Sequence, residues 1–200
     1  MPTVGLDMLH YATITEDENG NETYGEPTIL AKAIKADLSI ELAQAILYAD
    51  DAAAYVTAKF KSGKLSLGVD DLGREASGKL LGARTDENGV LVSTTEDASQ
   101  PVAIGFRARK ANEKYRYFWL FRVKFGTPST NLVTSGDSIT YQTPTIEGTI
   151  MRRNKPDSKG DYPWKAEVNE DDTDVAANVI SDWYKSVYEP KYDATTEEIE

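Results

Sequence analysis

Two glycines and a lysine within residues 73–79 have the spacing of a nucleotide-binding loop. The run Gly73-Arg74-Glu75-Ala76-Ser77-Gly78-Lys79 fits the pattern GxxxxGK, in which backbone N–H groups and the lysine hold phosphates. The pattern needs Ser or Thr at the next position to bind Mg²⁺, and Leu80 stands there. Leu72, Ala76 and Leu80 also recur at helical spacing, behind the helix-start carboxylates of Asp70-Asp71. The segment therefore predicts a short packing helix, and we expect no cofactor.

Adjacent aspartates are the other groups with possible chemistry. Asp50-Asp51, Asp70-Asp71 and Asp171-Asp172 lack the central glycine and distal Glu of a calcium loop. The single histidine, His10, lies in a predicted strand without a partner motif, and the chain has no cysteine. A thiol nucleophile, a Cys-type zinc site and a two-His metal centre are thus excluded. We expect no metal site and no enzymatic activity.

Charge is unevenly distributed along the 200 residues, whose formal net charge is −11. Residues 101–126 hold seven basic side chains and one acidic one, a net of +6 that leaves −17 for the rest. Residues 167–200 hold eleven acids and two bases, a net of −9. An acidic chain disfavours tight nucleic-acid binding, because phosphates are repelled.

The basic segment 101–126 allows two interpretations. Basic side chains interleaved with aromatics are typical of a sheet that binds single-stranded nucleic acid. Alternatively, the segment contacts an acidic surface on another copy of the chain, since opposite patches promote head-to-tail association. We favour self-association. The arginines expected at such inter-subunit contacts are Arg107, Arg109, Arg116 and Arg122.

The elements that would position these groups are mainly strands. Residues 32–48 alternate apolar and polar side chains, which predicts a half-buried strand, although alanine content and 3.6-residue spacing also permit a helix. A second strand is predicted from Tyr55 to Val69, after a loop at 50–54, so that the two form a long hairpin. Segment 101–126 reads as another hairpin, with Tyr115 through Phe125 placing every second residue on one apolar face.

The remaining pattern indicates one mainly β domain over residues 1–190. A strand is predicted over 138–153, and a final helix carries an apolar stripe from Val175 to Val187 before Pro190 ends it. Residues 191–200 form an acidic tail expected to be disordered. No apolar run reaches the roughly 20 residues of a membrane span, and the N-terminus lacks a signal core, so we expect synthesis in the cytoplasm.

Several runs, in this order and spacing, resemble one protein family. They are Val4-Gly5-Leu6, Leu47-Tyr48-Ala49-Asp50-Asp51, Lys114-Tyr115-Arg116-Tyr117, the block from Gly136 to Gly148, and Trp183-Tyr184-Lys185-Ser186-Val187-Tyr188. Together they resemble the major tail proteins, or tail tube proteins, of long-tailed, non-contractile phages of Gram-positive bacteria. The resemblance spans about residues 3–190.

This resemblance implies a fold and a role. The fold is a β-sandwich or barrel with one or two short flanking helices and long hairpins for assembly. Six copies form a ring, and rings stack into a tube whose lumen conducts double-stranded DNA during ejection. The implied partners are further copies of the chain, the tape measure protein, and the tail terminator and distal tail proteins. The implied location is the virion tail, after assembly in the host cytoplasm, with no membrane contact.

The residues also suggest which surfaces such a tube would use. If the long hairpin lines the lumen, its polar face would carry Lys35, Asp37, Ser39 and Glu41. We expect Asp37 and Glu41 to make the lumen acidic, so that it repels phosphates. The candidate ring-to-ring contacts are Asp50 and Asp51 at the hairpin tip, and Glu16 and Asp17 in the loop over 16–22.

Overall fold

The computed structural model describes residues 1–18, 20–49, 52–129, 133–134 and 142–192, with the backbone alone at 47–49, 52–55 and 177. The helices and strands of these ranges are, in chain order, β1 (Thr3–Glu16), β2 (Glu22–Tyr24), β3 (Thr28–Ile29), β4 (Ala33–Ala49), β5 (Ala52–Val69), α1 (Arg74–Leu81), β6 (Arg84–Thr85), β7 (Leu91–Val92), β8 (Val102–Lys110), β9 (Tyr115–Phe125), β10 (Thr145–Met151), β11 (Lys165–Asn169) and α2 (Ala177–Asp182). Parts of the predicted strand over 138–153 and of the acidic tail fall outside the described residues.

One antiparallel sheet contains nine of these strands, in the order β2-β1-β8-β9-β10-β5-β4, with β3 beside β1 and β11 beside β9. Strand β9 is its centre, because it pairs with β8 along one edge and with β11 and then β10 along the other. The mainly β fold with two short helices is confirmed, and the described sheet does not close into a barrel. Neither α1 nor α2 is long enough to cross a membrane, and the described ranges hold no other helix.

Strands β4 and β5 form the longest hairpin, with 17 and 18 residues. The strand prediction over 32–48 is therefore correct, and the helical alternative is wrong. β5 begins at Ala52 rather than Tyr55, so the predicted loop over 50–54 is shorter than expected. Alternation prevailed over alanine content because β5 supplies a ladder partner for β4 along its whole length.

A bulge in β9 splits the face that the sequence predicted as continuous. Between the pairs Val102↔Val123 and Ile104↔Leu120, β9 advances by one residue more than β8. An extra residue reverses the side to which the following side chains point. Trp119 and Phe121 accordingly pack in one hydrophobic cluster, whereas Val123 belongs to the other.

The two clusters lie on opposite sides of the β8–β9 pair. The larger one combines α1 with side chains of β1, β5, β8, β9 and β10. The smaller one joins β8 and β9 to Trp183 and Val187, which follow α2. Trp119 Nε1 donates to the Trp183 carbonyl at 3.0 Å. Gly105 faces this indole, and a Cβ there would lie 2.8 Å from ring carbons.

The last helix is shorter than its apolar stripe predicted. α2 ends at Asp182, and a turn with the irregular segment after it carries the buried side chains of Trp183 and Val187 against β9. The bond from Trp119 to the Trp183 carbonyl makes a tertiary contact in place of the next helical turn.

Candidate functional site

The GxxxxGK segment lies in α1 and forms no phosphate loop. Gly73 is the N-cap residue, Gly78 and Lys79 are inside the helix, and Gly82 ends it in the left-handed conformation. The Ser77 N–H donates to the Gly73 carbonyl at 2.9 Å, so it is used within the helix. The predicted packing helix is confirmed, with Ala76 and Leu80 buried in the larger cluster.

The aspartate pairs within the described residues have structural contacts. Asp70 Oδ1 accepts the N–H groups of Lys32 and Asp71, both at 2.9 Å. Asp171 accepts bonds from Lys110 Nζ and from Asn112 Nδ2. Asp50 and Asp51 lie outside the described residues. Across the described ranges, no three His, Cys, Asp or Glu side chains come together in a way that could hold a metal ion.

Six of the seven basic side chains in residues 101–126 pair with a carboxylate of the same chain. Arg107 makes a two-pronged contact to Asp7, with Nε–Oδ1 2.6 Å and Nη2–Oδ2 2.9 Å. The other pairs are Arg109–Glu113, Lys110–Asp171, Lys114–Glu170, Arg116–Glu167, and Arg122 with both Glu16 and Glu22. The positive excess of this hairpin is thus largely compensated inside the chain.

This compensation corrects the premise on which two sequence interpretations rested. A free basic patch was expected to meet either nucleic acid or an acidic neighbour. Instead, the acidic segment 167–171 lies beside β9, because β11 pairs with β9 from Arg116 to Leu120. Only the sheet topology brings these acids to the bases, so net charge counted along the sequence could not reveal it. A role of the four arginines in subunit contacts remains a prediction.

A buried ionic network joins β1, β2 and β9 to the segment after β10. Glu22 is fully buried, and it accepts the Asn154 N–H at 2.8 Å beside Arg122. Arg153 is fully buried as well, and its Nη1 donates to Glu189 Oε2 at 2.8 Å. Burial raises the pKa of the nearby Tyr24 to about 12. Buried charges of this kind persist only when they are paired.

The loop over 16–22, expected to contact the next ring, also makes contacts within its own chain. Glu16 Oε1 accepts from Arg122 Nη1 at 2.7 Å. Asp17 accepts from the backbone N–H and side-chain amide of Asn21, at 2.8 and 2.9 Å. Ring-to-ring contact by Glu16 and Asp17 stays a prediction.

Lys35, Asp37, Ser39 and Glu41 do share one exposed face of the β4–β5 hairpin. The register places them opposite Gly68, Ser66, Lys64 and Ser62 respectively. Lys35 Nζ lies 2.6 Å from Asp37 Oδ2, and Ser62 Oγ donates to Glu41 Oε2 at 3.2 Å. We call this surface, together with the matching face of β10 and Lys124 of β9, the polar face. Whether it lines a lumen stays a prediction.

The polar face is not acidic. Its lysines are Lys35, Lys59, Lys61, Lys64 and Lys124, against the carboxylates of Asp37, Glu41 and Glu147. Among the described side chains of this face, five are thus positively charged and three are negatively charged. The expectation of an acidic surface came from β4 alone and missed the lysines that β5 and β9 add to the same side.

The opposite face of the hairpin is mostly apolar beyond the hydrophobic core, with Gln44 as the polar side chain that β4 places there. Near the body of the molecule, Ala36 and Ile40 pack against the larger cluster. Further out, Leu42, Ile46 and Val56 lie on the same side and are 52%, 45% and 62% exposed. We call these three side chains the apolar patch.

Phe60 marks where the body of the molecule stops supporting the hairpin. It sits opposite Leu42, and its ring stacks on Trp164 with centroids 4.6 Å apart. Beyond this stack, the described side chains of Ala43–Ile46 and Val56–Lys59 are all exposed. At about 3.3 Å per residue, the part of β4 after Leu42 projects by more than about 20 Å.

No family model matches the chain, and no curated protein matches its sequence. Among solved structures, the chain is similar to one in the cryo-EM structure of the anti-feeding prophage (AFP) baseplate, 6-fold symmetrised. The identity is 10%, the alignment covers 84% of this chain and 96% of that one, and the TM-score is 0.39. At this TM-score we draw no functional conclusion from the similarity.

Proposed function

We propose that this chain is a structural, non-catalytic subunit of a phage tail tube, of the kind built by long-tailed, non-contractile phages of Gram-positive bacteria. The observation that carries the proposal is the projecting β4–β5 hairpin, which has a polar and an apolar side that are both exposed. In a ring of copies, hexameric by the family resemblance, a neighbour covers the apolar patch. The polar face, with Lys35, Asp37, Ser39 and Glu41, then lines the lumen.

Two physical costs make such a hairpin poorly suited to an isolated chain. Leu42, Ile46 and Val56 expose apolar surface to water, and exposed apolar patches typically mark interaction sites. β4 pairs with β5 alone among the described strands, so its other edge presents N–H and C=O groups without a strand partner. Assembly relieves both costs at once, because a neighbour can bury the patch and pair with the edge.

The proposed assembly implies a set of partners and a location for the chain. Further copies stack above and below each ring, with Asp50, Asp51, Glu16 and Asp17 as candidate contacts. The tape measure protein occupies the lumen during assembly, terminator and distal tail proteins close the ends, and double-stranded DNA passes at ejection. Assembly takes place in the host cytoplasm and ends in the virion tail.

The test is electron microscopy of negatively stained protein at high concentration, combined with sedimentation velocity. We expect hollow tubes or six-fold rings from the wild-type chain. The triple variant Leu42→Ser, Ile46→Ser, Val56→Ser should stay monomeric, because the surface that a neighbour covers has become polar.

A matched control removes equally exposed apolar side chains elsewhere, with Ile29→Ser, Val90→Ser and Val92→Ser, which are 65%, 56% and 42% exposed in the wild type. This control should assemble like the wild type. Assembly of the hairpin variant at the wild-type level would contradict the proposal, as would equal loss of assembly in both variants.

A further inference from the structure

Two lysines of the polar face belong to one row of side chains that crosses the four strands β4, β5, β10 and β9. Ser39 is opposite Lys64, Lys64 is opposite Thr149, and Thr149 is opposite Lys124. Neighbouring strands are about 4.8 Å apart, so the Cα atoms of Lys64 and Lys124 are separated by about 10 Å. The row therefore presents two ammonium groups with a hydroxyl between them and another at its end.

Of the five lysines on the polar face, two have a carboxylate partner and three have none among the described residues. Lys35 pairs with Asp37, and Lys61 lies 4.0 Å from Glu41. Lys59, Lys64 and Lys124 are exposed, and none has a carboxylate within ion-pair distance among the described residues. Their positive charge is available to an external anion.

A cleft of about 350 Å³ opens over this row. Ser39, Lys64, Lys124 and Thr149 line it, with Asp37 and Glu147 in the neighbouring row. The cleft thus combines ammonium and hydroxyl donors with nearby carboxylates, which limit how strongly an anion is held.

We propose that the polar face makes weak, sequence-independent contacts to the backbone phosphates of double-stranded DNA, through Lys59, Lys64 and Lys124. The donors are ammonium and hydroxyl groups, which bind phosphate without reading bases. None of the described side chains that β4, β5 and β10 place on this face is aromatic, so it offers no platform for stacking unpaired bases. A duplex, whose phosphates are its outer surface, fits this chemistry better than a single strand.

This inference rests on the proposed function in one respect: it is the tail tube that brings double-stranded DNA to the polar face. Three unpaired lysines beside three carboxylates, on a chain of net charge −11, give contacts that form and break easily. Such a surface centres a passing duplex without retaining it.

The experiment compares two triple variants with the wild-type chain by fluorescence anisotropy of a labelled 20-base-pair duplex, from 20 to 150 mM salt. The first variant is Lys59→Gln, Lys64→Gln, Lys124→Gln. The control, Lys79→Gln, Lys159→Gln, Lys185→Gln, removes the same charge from exposed lysines off the polar face. Urea midpoints of all three proteins verify that each is folded, and microscopy records their assembly separately.

We expect wild type and control to bind at 20 mM salt and to release the duplex by 150 mM. The polar-face variant should bind weakly, and its slope of log K against log salt should be smaller by up to ~2.7, since each lost phosphate contact removes ~0.9. Equal binding by both variants, no binding by the wild type at 20 mM, or tighter binding of a single strand of equal length would overturn the inference. Tube formation without lysine-dependent binding would overturn this inference alone, and binding without any assembly would overturn only the tube proposal.

Discussion

The hairpins β8–β9 and β4–β5 have similar alternating sequences and very different surroundings. β8 and β9 lie in the middle of the sheet, covered by a hydrophobic cluster on each side, and nearly all of their bases pair with acids of the same chain. The β4–β5 hairpin projects from the body of the molecule beyond the stack of Phe60 on Trp164. The described side chains of the projecting part are exposed on both faces.

The difference indicates that the two hairpins depend on different kinds of contact. Every contact that β8–β9 needs is available within one chain, so this hairpin stabilises the monomer. The apolar patch of the β4–β5 hairpin is exposed in the described part of the chain, so under the proposed function its stabilising contacts come from a neighbouring copy. Substitutions in the first hairpin should therefore change folding, and those in the second should change assembly.

The largest expected effect is that of Arg122→Met. This change leaves Glu22, which is fully buried, without its cation, and loss of one partner from a buried ion pair typically costs about 3–5 kcal/mol. The free energy of unfolding, measured by urea denaturation, should fall by about that amount.

Arg109→Met is the matched control on the same hairpin. Its partner Glu113 is 82% exposed, so the pair should contribute less than about 1 kcal/mol. Equal destabilisation by both substitutions would show that burial of the partner does not set the cost.

The next largest effects are expected from glycine-to-alanine substitutions, which should lower stability more in β8 than in β5. Gly105→Ala on β8 places a Cβ 2.8 Å from the indole of Trp119, and overpacking of this kind typically costs about 1–3 kcal/mol. Gly68→Ala on β5 has Lys35 Cβ as its nearest atom, at 3.4 Å, which is an ordinary contact, and should cost less than about 1 kcal/mol. Thermal unfolding of both variants measures the contrast, which disappears if the indole moves aside.

The pH dependence of stability reports on the contact between β1 and the C-terminal segment. Burial lowers the pKa of His10 from 6.5, although its Nδ1 donates to the Met8 carbonyl at 2.7 Å, and its ring stacks on Tyr184. Below pH 6.5 the unfolded chain therefore binds a proton that the folded chain resists, so stability falls as pH drops through the folded pKa.

His10→Gln should lose less stability than wild type between pH 7.5 and pH 5, measured as the change in urea midpoint. The carboxylates common to both proteins cancel in this comparison. Parallel pH profiles would show that protonation of His10 does not oppose folding.

The smallest effect on the monomer is expected at the tip of the β4–β5 hairpin. Asp50→Lys with Asp51→Lys, in the loop that the sequence predicts between the two strands, should change the free energy of unfolding by less than about 0.5 kcal/mol, because substitutions in exposed loops rarely exceed that range. If the tip contacts the next ring, the same variant should form fewer or shorter tubes in stained images. Normal tube formation would exclude that role for Asp50 and Asp51.

The spacing of apolar and polar residues predicted much of the fold, because side chains on strands and helices point to the same side at regular intervals. The alternation over 32–48 placed β4 correctly, and the helical spacing of Ala76 and Leu80 placed α1, although Asp70 and Asp71 do not cap that helix. The bulge in β9 and the early end of α2 were not predictable. Both depend on where Trp119 packs, and that position is set by side chains distant in sequence.

The candidate surfaces were likewise predictable from the sequence only in part. Spacing alone showed that Lys35, Asp37, Ser39 and Glu41 share a face, because side chains on a strand alternate with period two. It could not show that lysines of β5 and β9 join that face, or that acids of residues 167–171 neutralise β8–β9.

The sequence by itself thus determined a mainly β chain with an amphipathic long hairpin, no thiol and one histidine. Tertiary structure decided which charges are free and which apolar side chains lack a cover. The reason is physical: periodicity is a local property of the backbone, whereas charge compensation and burial depend on strands that meet only when the sheet forms.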